Sequence, residues 1–176
     1  MARINTGFIS GLASCIAAIL LAISAAQAAG EAPLEIKKGG SLLGFSFKDD
    51  SGATYQFTAK ARLTILHFWA TWCVPCLAEL PQIDAVAAHY ETYPLRIYAI
   101  SLDGKGGKAA KFLADHGIKN LPAYLDDNAL SDKSLRLKGL PTTIFIDETG
   151  NEIARGEGAL NWQGKEVTDF IESRLK

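Results

Sequence analysis

From residue 42 onward, short apolar runs alternate with stretches whose apolar residues recur at helical spacing. Residues 62–68 (RLTILHF) and 95–102 are almost continuously apolar, as strands buried on both faces of a parallel sheet are. Residues 42–47 and 54–57 read as shorter strands, joined by Asp49-Asp50-Ser51-Gly52, a turn-rich connection that predicts a hairpin. After Cys73, the residues Leu80, Ile83, Ala87 and Tyr90 fall at helical spacing. Pro81 lies inside that helix and predicts a kink, because it removes one N–H from the ladder. A helix is predicted near residues 108–116, a short strand at 123–125 and a short helix at 129–138. Residues 142–147 and 152–155 flank Glu148-Thr149-Gly150, a second hairpin signal. Val167, Phe170, Ile171 and Leu175 give a closing helix its apolar face. No internal repeat is present. The succession predicts an α/β fold: a mixed central β-sheet flanked by helices, with an N-terminal β-hairpin extension.

Ahead of this pattern lies a segment of different character. Arg3 supplies a positive start, residues 12–23 an apolar stretch, and Ala26-Gln27-Ala28 an A-x-A cleavage site, so residues 1–28 read as an export signal. Residues 11–29 also approach the length of a spanning helix and read alternatively as a membrane anchor. Leu12-Ala13-Ser14-Cys15 resembles a lipobox, although apolar sequence continues beyond Cys15. Every version puts the following domain outside the cytoplasm, with the periplasm as the leading location. Residues 29–40 then form a polar, Gly-ending linker, and residues 41–176 one domain. Cleavage would leave roughly 148 residues, enough for one sizeable core and too few for two. Losing Arg3 from 18 basic residues, against 19 acidic ones, leaves a net charge near −2. That balance argues against nucleic acid or an anionic membrane surface as a partner.

The candidate chemistry is Cys73-Val74-Pro75-Cys76, set between an apolar strand and a helix. Backbone N–H groups and the dipole at a helix N-terminus favour the thiolate of the first cysteine. Pro75 suits the first turn, where its missing N–H has no intrahelical partner. Cys15 lies in the N-terminal segment, so within the domain Cys73 and Cys76 can pair only with each other. A structural zinc site would need two more ligands. His67, His89 and His116 are scattered, and no second CxxC follows. Asp103-Gly104-Lys105-Gly106-Gly107-Lys108 lacks the spacing and the Ser/Thr of a phosphate loop. The chemistry is therefore thiol–disulfide exchange, with Cys73 attacking and Cys76 resolving.

Residues 68–76 (FWATWCVPC), Glu79 and Pro81, Gly139-Leu140-Pro141-Thr142-Thr143, and the stretch from Ile144-Phe145-Ile146-Asp147 to Trp162 carry a family resemblance. From near Leu42 to the C-terminus the chain resembles the thioredoxin superfamily and, within it, the exported TlpA/ResA-like reductases. That resemblance implies a cis Leu140–Pro141 bond facing the active-site disulfide, with Pro141 in the catalytic set beside Cys73 and Cys76. It implies an acid at Glu79 that exchanges a proton with Cys76, against the bland reading of a solvated helix carboxylate. Trp72, Leu140 and Thr142 are the implied client-binding residues; Thr142 reads equally as shaping the proline loop. Trp69 and Trp162 read as structural. His67 departs from the buried acid of thioredoxins. It reads as a possible proton relay, or as a buried histidine bonded to backbone.

The resemblance further implies a periplasmic reductase of cysteine pairs in exported client proteins, in cytochrome oxidase copper-site or cytochrome c assembly. A membrane electron donor of the CcdA/DsbD type would recharge it, and neither cofactor nor metal is expected. A disulfide-forming oxidase competes, but Val74-Pro75 supplies no cation to stabilise the thiolate further. A copper-binding chaperone without redox turnover also competes; soft thiolates suit Cu(I), but such binders use Cys-x3-Cys with a distant His. The Thr-x-x-Cys of peroxiredoxins is absent around Cys73.

Overall fold

Every residue of Leu63–Trp69 is buried, and this strand sits inside the sheet with a partner on each side. The computed structural model describes residues 30–104, 108–126 and 135–176. Along the chain these form β1 (Leu34–Ile36), β2 (Ser46–Asp49), β3 (Thr54–Gln56), β4 (Leu63–Trp69), α1 (Val74–His89) and β5 (Leu95–Ser101). Then follow α2 (Lys108–Asp115), β6 (Ala123–Leu125), β7 (Thr142–Asp147), β8 (Glu152–Glu157) and α3 (Lys165–Leu175). The strand order is β1-β8-β7-β4-β5-β6-β2-β3. β4 runs parallel to β5 and antiparallel to β7, so the sheet is mixed as expected. The β2–β3 hairpin joins through β2, which pairs antiparallel with β6.

Side chains alternate across a strand, so β4 feeds two cores. Leu63, Ile65 and Trp69 pack with Leu80 and Ile83 of α1, Ala109 and Leu113 of α2, and Val167, Phe170 and Ile171 of α3. Leu66 and Phe68 pack on the other side with Ile144, Ile146, Ile100, Phe47, Phe57 and Leu135. His67 shares the parity of the first group and therefore lies on the side carrying α1. α1 continues through Pro81. The helix expected at 129–138 falls mostly outside the described residues, as do the signal, anchor and lipobox readings of the N-terminus. Among the described residues, no helix is long and apolar enough to cross a membrane.

The structure corrects the linker reading of residues 29–40. Leu34–Ile36 is an edge strand, paired antiparallel with β8 from Leu34↔Gly156 to Ile36↔Ala154, and Leu34 is buried. The compact unit accordingly begins at Ala32. Its approach to β8 is close: a Cβ on Gly39 would lie 2.7 Å from Glu152 Cβ, so glycine is required there. A three-residue edge strand carries too little alternation to be read from pattern, because its stability comes from pairing with a distant partner. Strand β2 likewise begins at Ser46, not at residue 42. Phe45 N–H donates to the Leu42 carbonyl, and Gly44 has φ +90°, a turn that ends any extended run.

Candidate active site

β4 delivers the site. Its last residue, Trp69, is followed by a turn in which Cys73 N–H donates to the Ala70 carbonyl (3.1 Å). Cys73 is then the N-cap of α1, with extended backbone (φ −90°, ψ 95°), and its Sγ accepts from the Cys76 N–H at 3.3 Å. The two sulfurs form a disulfide with Cα atoms 5.3 Å apart. Cys76 is fully buried, while Cys73 is 5% exposed. An attacking cysteine is expected at the surface, yet in the oxidised state Cys73 is covered. Capping folds Sγ back over the first turn, and the neighbours carry the surface instead: Trp72 is 69% and Val74 76% exposed.

The Leu140–Pro141 peptide bond is cis. Leu140 is half-buried, packed against both cores. Thr142 is fully buried, with its hydroxyl donating to the Gly139 carbonyl at 2.7 Å. This corrects the client-binding reading of Thr142: it closes the proline loop from inside. β8 holds the segment leading to the loop. Buried Arg155 pairs bidentately with Glu152 (2.7 and 2.9 Å) and donates to the Leu135 carbonyl (3.1 Å); Gly158 N–H donates to the Pro141 carbonyl (2.8 Å).

Glu79 sits one turn after Cys76 on α1 and is 1% exposed, so it is no solvated surface carboxylate. Its Oε1 accepts from the Leu160 N–H and from Trp162 Nε1–H, both at 2.7 Å, while Oε2 is buried without a partner. His67 is fully buried; its Nδ1 lies 3.0 Å from Thr143 Oγ1, its cross-strand neighbour, and Nε2 has no partner. The same indole borders both groups, since the His67 and Trp162 rings meet edge to face at 6.1 Å. His67 therefore bonds to a side chain, not to backbone as the bland reading had it. Trp69 and Trp162 are both fully buried, as structural residues are.

Residues 39–153 match the family model described as AhpC/TSA. The chain belongs to the AhpC/TSA family. Among its relatives, thiol-disulfide oxidoreductase ResA of Oceanobacillus iheyensis is 35% identical over 106 residues, 55% of each chain. ResA of Bacillus subtilis is 27% identical over 119 residues, 67% of this chain and 66% of that protein. The chain thus spans about half to two thirds of the length of these curated relatives. A Chlorobium tepidum structure assigned as a thiol:disulfide interchange protein DsbE matches with a TM-score of 0.70 and 25% identity. The match covers 80% of this chain and 99% of that one. The fold of this AhpC/TSA-family chain is thioredoxin-like.

The two buried titratable groups are tuned in opposite ways. Burial raises the Glu79 pKa from 4.5 to about 7, against the opposing pull of its bonds from Leu160 and Trp162. A carboxyl half-protonated near neutrality can both accept and donate a proton. Burial alone lowers the His67 pKa from 6.5 to about 3, so the imidazole is neutral across the physiological range. Among the described residues, no three His, Cys, Asp or Glu side chains converge to hold a metal. Three parts of the site were missed in the sequence reading. These are Thr143 beside His67, the Leu160 and Trp162 cradle of Glu79, and Asp103, whose carboxylate accepts from Thr71 next to Trp72. Only Asp103 had a local cue, a carboxylate just past the end of an apolar strand.

Proposed function

We propose that this protein is a thiol–disulfide oxidoreductase working as a reductase of disulfides in exported client proteins. The observation that carries the reading is the pairing of a capped, surface-bordering Cys73 with a fully buried Cys76 and a carboxyl one turn beyond, titrating near neutrality. In the reduced enzyme the Cys73 thiolate, favoured by the N-terminal N–H groups of α1, attacks one sulfur of the client disulfide. The first client thiolate leaves, and a mixed disulfide remains. Cys76 gives its proton to Glu79, attacks Cys73 Sγ and expels the second client thiolate. Two electrons pass from the dithiol to the client, and two protons end on the client thiols. Trp72 and Val74, on either side of Cys73 in the chain, are exposed and uncharged, and with Leu140 they are the residues that would take an extended client segment around its cysteine.

Relatives named ResA and DsbE support an exported location, with the periplasm as the compartment. Such a site needs an electron source outside the cytoplasm, and a membrane donor of the CcdA/DsbD type fills that role. Clients awaiting metal or haem, in copper-site or cytochrome c assembly, are the substrate class. Reduction is favoured over oxidation because Val74 and Pro75 bring no cation that would stabilise the Cys73 thiolate beyond what the helix supplies. Equilibration of the Cys73–Cys76 couple with glutathione tests the direction. A potential near or below roughly −270 mV fits a reductase, and one near roughly −120 mV makes the protein a disulfide-forming enzyme.

A further inference from the structure

We propose that Asp103 is a positioning residue for Cys73 and Trp72, gripping the turn that presents them through two hydrogen bonds from Thr71 to its carboxylate, which a third from Ser101 orients. The inference rests on the oxidoreductase reading and deepens it. β4 and β5 lie side by side in parallel register, with Trp69 opposite Ser101, so their C-terminal exits run next to each other. From the first exit comes the turn Ala70-Thr71-Trp72-Cys73, closed by Cys73 N–H to the Ala70 carbonyl. From the second comes Asp103. Its Oδ2 accepts from the Thr71 N–H at 2.8 Å and from Ser101 Oγ at 2.6 Å, and its Oδ1 accepts from Thr71 Oγ1 at 2.8 Å. Leu102 N–H donates to the Trp69 carbonyl at 2.9 Å, tying the two exits together.

Packing holds the ends of the turn, where Ala70 and Cys73 are buried in the core, but not its middle. Thr71 and Trp72 are its two central residues, and Trp72 is 69% exposed, so no core contact orients the indole. Asp103 holds Thr71 by backbone and by hydroxyl at once, which limits both its dihedrals and its rotamer. The direction in which the chain enters Trp72 and Cys73 follows from that. The two hairpin carboxylates do something different. Asp49 and Asp147 accept backbone N–H groups only within four residues of themselves, closing their own hairpins. Asp103 instead reaches across 32 positions to the loop carrying the nucleophile.

The test uses the purified full-length protein, with insulin as the disulfide substrate and dithiothreitol as the reductant. Asp103→Asn loses an acceptor to one Thr71 donor; Thr71→Val keeps the shape and the backbone bond but loses the hydroxyl. Each is expected to lower kcat/KM about tenfold, short of the roughly hundredfold that a full ångström of misplacement costs. The double variant is expected to fall no further than Asp103→Asn alone, and Thr71→Ser to restore the wild-type value. The equilibrium constant with glutathione is expected to stay unchanged, since the grip touches neither sulfur. Values within twofold of wild type for both single variants, effects that multiply, or no rescue by Thr71→Ser overturn the proposal. Should Asp103→Asn fail to fold, the near-isosteric Thr71→Val and its serine rescue decide the matter alone. A wild-type protein without turnover overturns the oxidoreductase reading and this one together; an active wild type with unchanged variants overturns this one only.

Discussion

Glu79→Gln removes a titration while keeping the shape of its site. The glutamine Oε1 can still accept from Leu160 N–H and Trp162 Nε1–H, and its amide nitrogen takes the place of the unpartnered Oε2. Wild-type Glu79 has a folded pKa of about 7 against 4.5 when unperturbed. Its carboxyl therefore binds a proton more readily in the folded protein, and stability falls as pH rises between those two values. Each pH unit of that gap corresponds to about 1.4 kcal/mol, so Glu79 costs the oxidised protein about 3 kcal/mol above neutrality relative to acid. Urea unfolding of the oxidised wild type and Glu79→Gln, from about pH 4.5 to about pH 8, measures this directly. Stability of the wild type minus that of the variant should drop by about 3 kcal/mol over the range, most of it below neutrality. His67 titrates equally in both proteins and cancels, and any cost of burying the amide is a constant offset. A difference flat to within about 0.5 kcal/mol would mean that the carboxyl is as well solvated folded as unfolded, and the burial argument would fail.

His67 runs in the opposite sense. Its folded pKa of about 3 lies below 6.5, so the neutral imidazole stabilises the fold above pH 6.5, and that contribution is lost as pH falls toward 3. His67→Asn should unfold at lower pH than wild type in an acid titration followed by circular dichroism, with a gain of up to about 5 kcal/mol at the acid end. For the exchange chemistry, Cys76→Ala should accumulate a covalent adduct through Cys73 when mixed with oxidised insulin, visible on a non-reducing gel and cleared by dithiothreitol. Cys73→Ala should form none, and an adduct on that variant would reverse the assigned roles.

Much of this protein is written locally. The run RLTILHF announces β4 because a strand covered on both faces has no polar side to show. The two hairpins are announced by carboxylate and glycine turns that close on themselves, as Asp49 and Asp147 do. The Cys73–Cys76 pair is equally local, since a helix brings residues three apart to the same face. β1 was not legible, because Leu34–Ile36 becomes a strand only when β8 arrives from more than a hundred residues away. The same holds for the electrostatics. Glu79 looks like a surface carboxylate on a helix until Leu160 and Trp162 fold over it and strip away its water. His67 owes its neutrality, and Asp103 its grip on Thr71, to strands brought side by side by the sheet order. Residue type and short spacing were enough to read most of the elements and the cysteine pair. The burial of Glu79 and His67 and the bonds from Thr71 to Asp103 came from the fold, because desolvation and long-range hydrogen bonds exist only between segments that folding brings together.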